Sequence, residues 1–326
     1  MDTINTNNNN DWTNSKQSWD EKIQLKKTML DRVNPFDFKL VNLNNTGYIF
    51  VGTAILAPFF ISILITYLFA KNPNAVLVMN IVNWIVVGVG CYFVLSRIQD
   101  KLLRTGAIAF YYFYFIPNII TLIAGVILGI LKVQTDTTAN LVVSWIADVI
   151  CIMILAKTSP YIFIKIKLTF KQNYKLLIPT VIIALIITFG FNYIFGLAQA
   201  QITPGTSVNQ ANLVAGLNKW WNVVILAVYT IFTAPIIEEL ACRHGIFSLT
   251  GDKWVSYFAS IIYFAGMHVF QTGDWEHFVG YLGASIALAS LFIIARGNVT
   301  YTIMTHALLN TVTFILILTV PLIAGQ

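Results

Sequence analysis

The stretch Ala234–Phe247, "APIIEELACRHGIF", places two adjacent glutamates and an arginine in otherwise apolar sequence. Hydrophobic residues make up 57% of the 326 residues and charged residues only 10%, whereas a soluble domain carries about 25% charged residues. This composition predicts an all-α fold, a polytopic helical bundle in a membrane. Ionisable groups inside a membrane span are costly and mark function by default, so the quoted stretch is the first candidate for a functional site.

Nine apolar segments are long enough for the roughly 20 residues that a helix needs to cross a bilayer. They lie at 47–70, 75–96, 107–131, 139–156, 176–198, 221–249, 254–272, 277–295 and 299–323. The count becomes eight if 139–156, which is short and carries Asp148, is re-entrant, or if the last span is cut short. We therefore expect about 8–9 transmembrane helices.

The basic residues predict the orientation of these spans. With nine spans and the N-terminus inside, every lysine and arginine falls on the inner side except Lys71, Lys132 and Lys219, as the positive-inside rule requires. We expect a multi-pass protein of a bacterial plasma membrane with a cytoplasmic N-terminus. The net charge of +6 then follows from topology, and no nucleic-acid partner is expected. No apolar stretch follows Met1, so no cleaved signal peptide is expected.

The chain divides into three parts by composition. Residues 1–46 form a polar cytoplasmic leader, and 47–200 form a supporting transmembrane half whose spans are mostly apolar. Residues 221–323 form the half in which polar and ionisable groups gather inside the spans. We expect the chemistry to lie in this last part.

The two glutamates of the opening stretch have different surroundings on a helix. Glu239 and Arg243 are four positions apart, so they share one helical face and can form an ion pair. Glu238 points about a hundred degrees away and has no such partner in its own helix. A carboxylate without a cationic partner is a candidate general base.

Three polar residues of later spans reach the depth of Glu238. At a rise of about 1.5 Å per residue, His268 and Asn310 lie roughly 21–22 Å from the inner ends of their spans, and His306 lies roughly 15 Å from its end. Glu238 lies at about 22 Å on the same scale. The four side chains are therefore expected to converge near the middle of the membrane, as a site requires.

These motifs, in this order and spacing, resemble those of a known family. They read Glu238-Glu239-x-x-x-Arg243, then Phe264-x-x-x-His268, then His306-x-x-x-Asn310. This set is similar to the CPBP family, the group of type II CAAX prenyl endopeptidases and bacteriocin-processing or immunity-type membrane proteins, also called Abi proteins. The resemblance covers roughly 221–323.

The resemblance implies an intramembrane glutamate protease in which 221–323 is the catalytic core. Glu238 would activate a water molecule as general base, and His268 would assist it. His306 and Asn310 would hold the oxyanion of the tetrahedral intermediate, where one such donor is typically worth about 10²–10³ in rate.

The same resemblance implies that Glu239 and Arg243 position the helix, and we expect no cofactor. Zinc is the alternative, because Glu238, His268 and His306 would be plausible ligands of a catalytic site with one open position. The helix-borne HExxH arrangement of zinc peptidases is absent from the sequence, so we expect no metal.

Each polar feature also has a structural interpretation. Glu239 with Arg243 can be a buried ion pair, and His268, His306 and Asn310 can hydrogen-bond between helices. Asp148 is a lone acid without a clear role. We expect His244 to point to the inner interface and His277, beside Glu276, to be solvated.

Two functions from different classes remain open. The first is an endopeptidase acting on a membrane-associated peptide or protein, with the lipid bilayer as its environment. The second is a non-catalytic membrane scaffold that binds partner membrane proteins, and Glu238→Gln separates the two because only a protease needs the carboxylate. A proton-coupled transporter is disfavoured, since no pair of broken spans recurs in corresponding halves. Secreted peptide precursors, signalling peptides or bacteriocins are the expected substrates of a prokaryotic protein.

Overall fold

The computed structural model describes residues 45–69, 72, 74–133, 136–270 and 272–319. The expected leader, 1–46, lies outside the described residues except for its last two. The described residues form helices and no strands. These are α1 (Thr46–Leu68), α2 (Ala75–Thr105), α3 (Ala109–Ile130), α4 (Thr137–Thr158), α5 (Pro160–Gln172), α6 (Tyr174–Ile202), α7 (Val208–Ala215), α8 (Trp220–Thr250), α9 (Lys253–Met267), α10 (Trp275–Ile294, which begins with a 3₁₀ turn) and α11 (Val299–Thr319).

Eight of these described helices are long and apolar enough to cross a membrane, which confirms the predicted all-α polytopic bundle. The expected span 254–272 is the one that falls short. Its helix, α9, has 15 residues and rises about 22 Å, less than the roughly 30 Å of a bilayer core. The chain turns after Met267 because the ring of Phe270 folds over Gly266, where a side chain would overlap it. The Gly266 carbonyl then accepts from the N–H groups of both Val269 and Phe270.

The segment 139–156 is a complete helix and no re-entrant loop. It forms α4, which has 22 residues. Its N-terminus is capped by Asp136, whose carboxylate accepts the Ala139 N–H at 2.9 Å and lies 3.0 Å from the Lys219 ammonium. These two contacts lower the pKa of Asp136 below its ordinary value. The count of eight therefore arises from α9 and not from this span.

Helix α8, which carries the two glutamates, lies at the centre of the bundle. It packs against α1, α3, α4, α9 and α11. Next to it, α6 and α10 lie very close together, since a side chain at Gly283 would come within 2.8 Å of the Asn192 backbone nitrogen. Helix α8 is thus surrounded by other helices of the bundle.

An aromatic core fixes the end of α8 that follows the glutamates. Phe247 is fully buried and its ring lies 4.9 Å from that of Phe292. Phe50 and Phe110 are also fully buried and meet edge to face at 4.9 Å. Gly245 allows α8 to approach Phe110, because an added Cβ would lie 3.1 Å from the Phe110 backbone.

Helix α8 changes its winding on both sides of the glutamates. The segments Tyr229–Thr233 and Leu240–Gly245 are π-helical, and the α-helical turn Ala234–Glu239 lies between them. Wider π-turns interrupt the regular hydrogen-bond ladder and occur frequently at functional sites. Both glutamates therefore lie in one regular α-helical turn. The π-helical segments on either side set the direction in which their side chains point.

Candidate active site

Glu239 and Arg243 form a buried ion pair within α8. The Arg243 Nε lies 3.3 Å from the Glu239 Oε2, and both side chains are 0% exposed. The guanidinium also lies over the ring of Phe264, with its Cζ 4.2 Å from the ring centroid. The i, i+4 spacing read from the sequence thus produces the expected contact, and a cation–π contact from α9 adds to it.

His306 of α11 lies between the two glutamates. Its Nδ1 is 3.0 Å from the Glu239 Oε1, and its Nε2 is 3.8 Å from the Glu238 Oε2. Glu239 is ionised in its pair with Arg243 and can only accept, so the His306 Nδ1 donates. Glu238 differs from its neighbour because 15% of its side chain is exposed.

Phe264 brings His268 close to this cluster. The ring of Phe264 meets the His268 ring at 5.3 Å and the His306 ring at 5.5 Å, both edge to face. His268, directly after α9, is also within electrostatic range of His306 and Arg243. The structure therefore places both histidines around one aromatic ring.

Asn310 lies one turn beyond His306 on α11 and makes a contact that the sequence did not predict. Its Nδ2 donates to the Thr230 carbonyl at 2.8 Å. Thr230 lies in the first π-helical segment of α8, where the carbonyls lose their regular i+4 donors. One amide hydrogen of Asn310 thus joins α11 to α8, and the second amide hydrogen is not used by this bond.

Asp148 adds a third carboxyl group beside Glu238. It is 5% exposed on α4 and lies close enough to Glu238 and Tyr229 for its charge to act on both. In the sequence, Asp148 stood out only as the single acidic residue of an otherwise apolar span. The helix packing that brings it to Glu238 could not be read from that signal.

Two other histidines lie away from the cluster, and His277 differs from expectation. His277 is not solvated but buried, with its Nδ1 2.8 Å from the Asp274 Oδ1. His244 is buried as well. Its Nε2 lies 2.6 Å from the Thr105 carbonyl and 3.0 Å from the Tyr161 hydroxyl. Both rings join neighbouring elements, which accounts for their burial.

One group of potential metal ligands occurs among the described residues. The ligand atoms of Asp274, Glu276 and His277 lie within 4.8 Å of one another. The Asp274 carboxylate is already engaged, because one oxygen contacts His277 and the other accepts the Val208 N–H at 2.7 Å. Glu238, His268 and His306 do not form such a group, so the arrangement does not gather them as one zinc-ligand set.

The fold and the cluster together define a multi-pass membrane protein with acidic, basic and imidazole groups held inside its helical bundle. Residues 220–312 match the family described as type II CAAX prenyl endopeptidase Rce1-like. This match supports membership of the CPBP family, which the motifs of the sequence had indicated. At the level of the family, the match supports a CAAX-protease-type membrane endopeptidase with a substrate within or at the membrane.

Two curated bacterial proteins are similar to this chain. An uncharacterized protein of Mycoplasma capricolum is 25% identical over 313 residues, which cover 90% of this chain and 93% of the relative. The UPF0177 protein YaiF of Lactococcus lactis is 29% identical over 175 residues, covering 50% of this chain and 77% of the relative. No solved structure is detectably similar to this chain.

Proposed function

We propose that this protein is an intramembrane endopeptidase that hydrolyses a peptide bond through a water molecule activated by Glu238. The observation that carries the proposal is the position of His306 between two unlike glutamates. Glu239 is fully buried and bound to Arg243, whereas Glu238 is partly exposed and makes no ion pair in its own helix. Glu239 therefore has a structural role, and Glu238 remains available as the general base.

The charges of the cluster support this division. Buried charges are costly unless they are paired. Glu238, Glu239 and Asp148 supply three carboxyl groups to the cluster and Arg243 supplies one guanidinium, which pairs with Glu239 and not with Glu238. His306 donates from Nδ1 to Glu239, and the proposed mechanism needs a hydrogen on its Nε2 as well, as the donor to the oxyanion.

The chemical steps follow from these positions. Glu238 takes a proton from water, assisted by His268, and the water oxygen forms a bond to the peptide carbonyl carbon. The carbonyl oxygen becomes an oxyanion, for which the His306 Nε2–H and the second Asn310 amide hydrogen are donors. The carbon–nitrogen bond then breaks, and the proton held by Glu238 passes to the leaving amine. The products are a carboxylic acid and an amine, with no oxidant or reductant needed.

The substrate class and location are part of the same proposal. The relatives come from bacteria, and in a bacterium we propose secreted peptide precursors, signalling peptides or bacteriocins rather than prenylated proteins. The basic residues favour a plasma-membrane location with the N-terminus in the cytoplasm. We also propose that the chain is divided into a leader (1–46), a supporting half (47–200) and a catalytic core (221–323).

The proposal is tested by cleavage of membrane-anchored peptides by purified protein in liposomes. We expect the wild type to release fragments whose new carboxyl group carries ¹⁸O when the reaction runs in H₂¹⁸O. Glu238→Gln should abolish release while remaining folded, and Glu276→Gln, a change at an exposed carboxylate, should not alter it. Release by Glu238→Gln at the wild-type rate would contradict the proposal.

A non-catalytic scaffold remains the second candidate, and one observation favours it. His306 and Asn310 are both engaged between helices, with Glu239 and with the Thr230 carbonyl. Contacts of this kind also serve helix packing. A scaffold would bind its partner membrane proteins equally well with Glu238→Gln, whereas the endopeptidase would lose its function.

A further inference from the structure

The imidazole of His268 is oriented by ring contacts. Among the described residues, no group hydrogen-bonds to this ring. Its broad face instead lies on Tyr281 of α10, with ring centroids 4.5 Å apart and an interplanar angle of 16°. The edge-to-face contact with Phe264 on α9 is longer, at 5.3 Å. The stacked ring of Tyr281 is therefore the closest ring that fixes the plane of His268.

The hydroxyl of Tyr281 is itself held from outside α10. It lies 2.6 Å from the Ser207 hydroxyl and accepts from the Asn209 amide at 3.4 Å. Ser207 also caps α7, where its oxygen accepts the Gln210 N–H at 3.2 Å. Because Ser207 is tied to both partners, the tyrosine ring cannot move away from its position without breaking contacts in the connection between α6 and α8.

Further hydrogen bonds join the connection between α6 and α8 to the start of α10. The Val208 N–H donates to Asp274 at 2.7 Å. The Gln199 side chain donates to the Glu276 carbonyl at 2.7 Å and accepts the Gly280 N–H at 3.0 Å. Together with the contacts of the Tyr281 hydroxyl, these hydrogen bonds fix residues 199–209 relative to residues 274–281.

We propose that Tyr281 is a positioning residue that holds His268 for water activation, and that Ser207 locks it in place. The inference rests on the proposed endopeptidase function, because it assigns a task to the stacking partner of one of its groups. A histidine that assists a general base must keep its nitrogen within hydrogen-bond reach of the water. A displacement of about 1 Å can cost 10²-fold in rate, so a ring without a hydrogen-bonded partner depends on its stacking contact.

Three variants separate the ring from the hydroxyl. Tyr281→Leu removes the stacked ring, Tyr281→Phe keeps it, and Ser207→Ala removes only the partner hydroxyl. We expect Tyr281→Leu to lower kcat by about 10–10²-fold with KM nearly unchanged. Tyr281→Phe and Ser207→Ala should lower kcat only a few-fold and to a similar extent, because both leave the stack in place.

The chain offers a matched control in a second tyrosine–serine contact. The Tyr257 and Ser290 hydroxyls lie 3.0 Å apart between α9 and α10, without a histidine stacked on the ring. Tyr257→Leu and Ser290→Ala repeat the same chemical changes at this contact between α9 and α10. We expect both control variants to retain the wild-type kcat, which separates positioning of His268 from loss of helix packing.

A second readout does not depend on cleavage. The chain has four histidines, so ring signals of histidine-labelled protein can be assigned, with His268→Gln identifying the relevant one. The ring current of Tyr281 should shift this signal in the wild type and in Tyr281→Phe, and the shift should disappear in Tyr281→Leu.

The two readouts distinguish failure of this inference from failure of the proposed function. If the wild type cleaves no peptide but the His268 signal moves only in Tyr281→Leu, the contact is confirmed and the endopeptidase proposal falls. If the wild type cleaves and Tyr281→Leu shows the wild-type kcat and an unmoved His268 signal, the positioning role is overturned.

Discussion

The imidazole of His306 stands between Glu238 and Glu239, 3.8 Å from one carboxylate and 3.0 Å from the other. The closer glutamate is fully buried with Arg243, and the more distant one is partly exposed. One histidine thus joins a structural ion pair to a carboxylate that can meet a water molecule. The tests below separate the structural contacts of this cluster from the chemical ones.

Phe264 is expected to matter for both stability and turnover. Its ring lies under the Arg243 guanidinium and touches the rings of both site histidines. Phe264→Leu should lower the free energy of unfolding by about 2 kcal/mol, the value of a desolvated cation–π contact, and should also lower kcat. Thermal unfolding in detergent and the peptide assay measure the two effects. Phe247→Leu, a change at a fully buried phenylalanine that packs on Phe292, should reduce stability alone. Equal loss of kcat in both variants would contradict a specific role for Phe264.

Asn310 is expected to contribute a structural bond and an oxyanion donor. Asn310→Ala removes the bond to the Thr230 carbonyl, worth about 1 kcal/mol, and should slow kcat by about 10²–10³ through loss of the donor. The control is Asn83→Ala, because Asn83 donates to the Ser62 hydroxyl at 2.9 Å between α1 and α2. A stability loss in Asn310→Ala without a change in kcat would assign this residue to helix packing only.

The sequence predicted the ion pair within one helix and the shared depth of Glu238 and His306, and it missed the contacts that depend on how the helices pack. The Glu239–Arg243 pair follows from i, i+4 spacing, and similar depth brought Glu238 and His306 together. Depth alone carries no information about which way a ring turns, so the bond from His306 to Glu239 was not foreseen. Tyr281 was missed for a different reason, because its partner Ser207 is 74 positions away in the chain.

The ends and the winding of the helices were predicted less well where a single glycine or a π-turn determines them. The segment 254–272 was read as one apolar span, yet the helix ends at Met267, where Phe270 packs on Gly266. The π-helical segment containing Thr230 has no signature in an apolar sequence. Its altered carbonyls nevertheless determine where Asn310 binds.

Peptidase activity is expected to survive removal of metal ions. In the proposed mechanism Glu238 takes the proton from water and His306 supplies the charge stabilisation that zinc would otherwise give. After chelation and dialysis, activity should persist with well under one zinc per chain, and His306→Ala should slow turnover by about 10²–10³. Stoichiometric zinc, with activity restored to chelated enzyme by Zn²⁺, would contradict this and make His306 a ligand. Asp274→Asn serves as a control, because it reports an ion bound at the separate Asp274 group.

The orientation is testable by cysteine labelling. The native Cys91, Cys151 and Cys242 are buried, so reaction of the wild type should be low. An impermeant maleimide on intact cells should label Thr206→Cys, in the connection between α6 and α8, and should label Asn173→Cys only after permeabilisation. This result follows from the concentration of basic residues around 157–175 on the inner side. Labelling of Thr206→Cys only after permeabilisation would reverse the topology.

The most direct test of the account compares Glu238→Gln with Glu239→Gln for folded yield and cleavage in the same preparation. Glu239→Gln leaves Arg243 buried without its partner, and breaking such a pair can cost about 3–5 kcal/mol. We expect it to lower the amount of folded protein. Glu238→Gln is nearly isosteric at a partly exposed position, so we expect normal folded yield and no cleavage. Indistinguishable behaviour of the two variants, or cleavage by folded Glu238→Gln at the wild-type rate, would contradict the division of labour between the two glutamates.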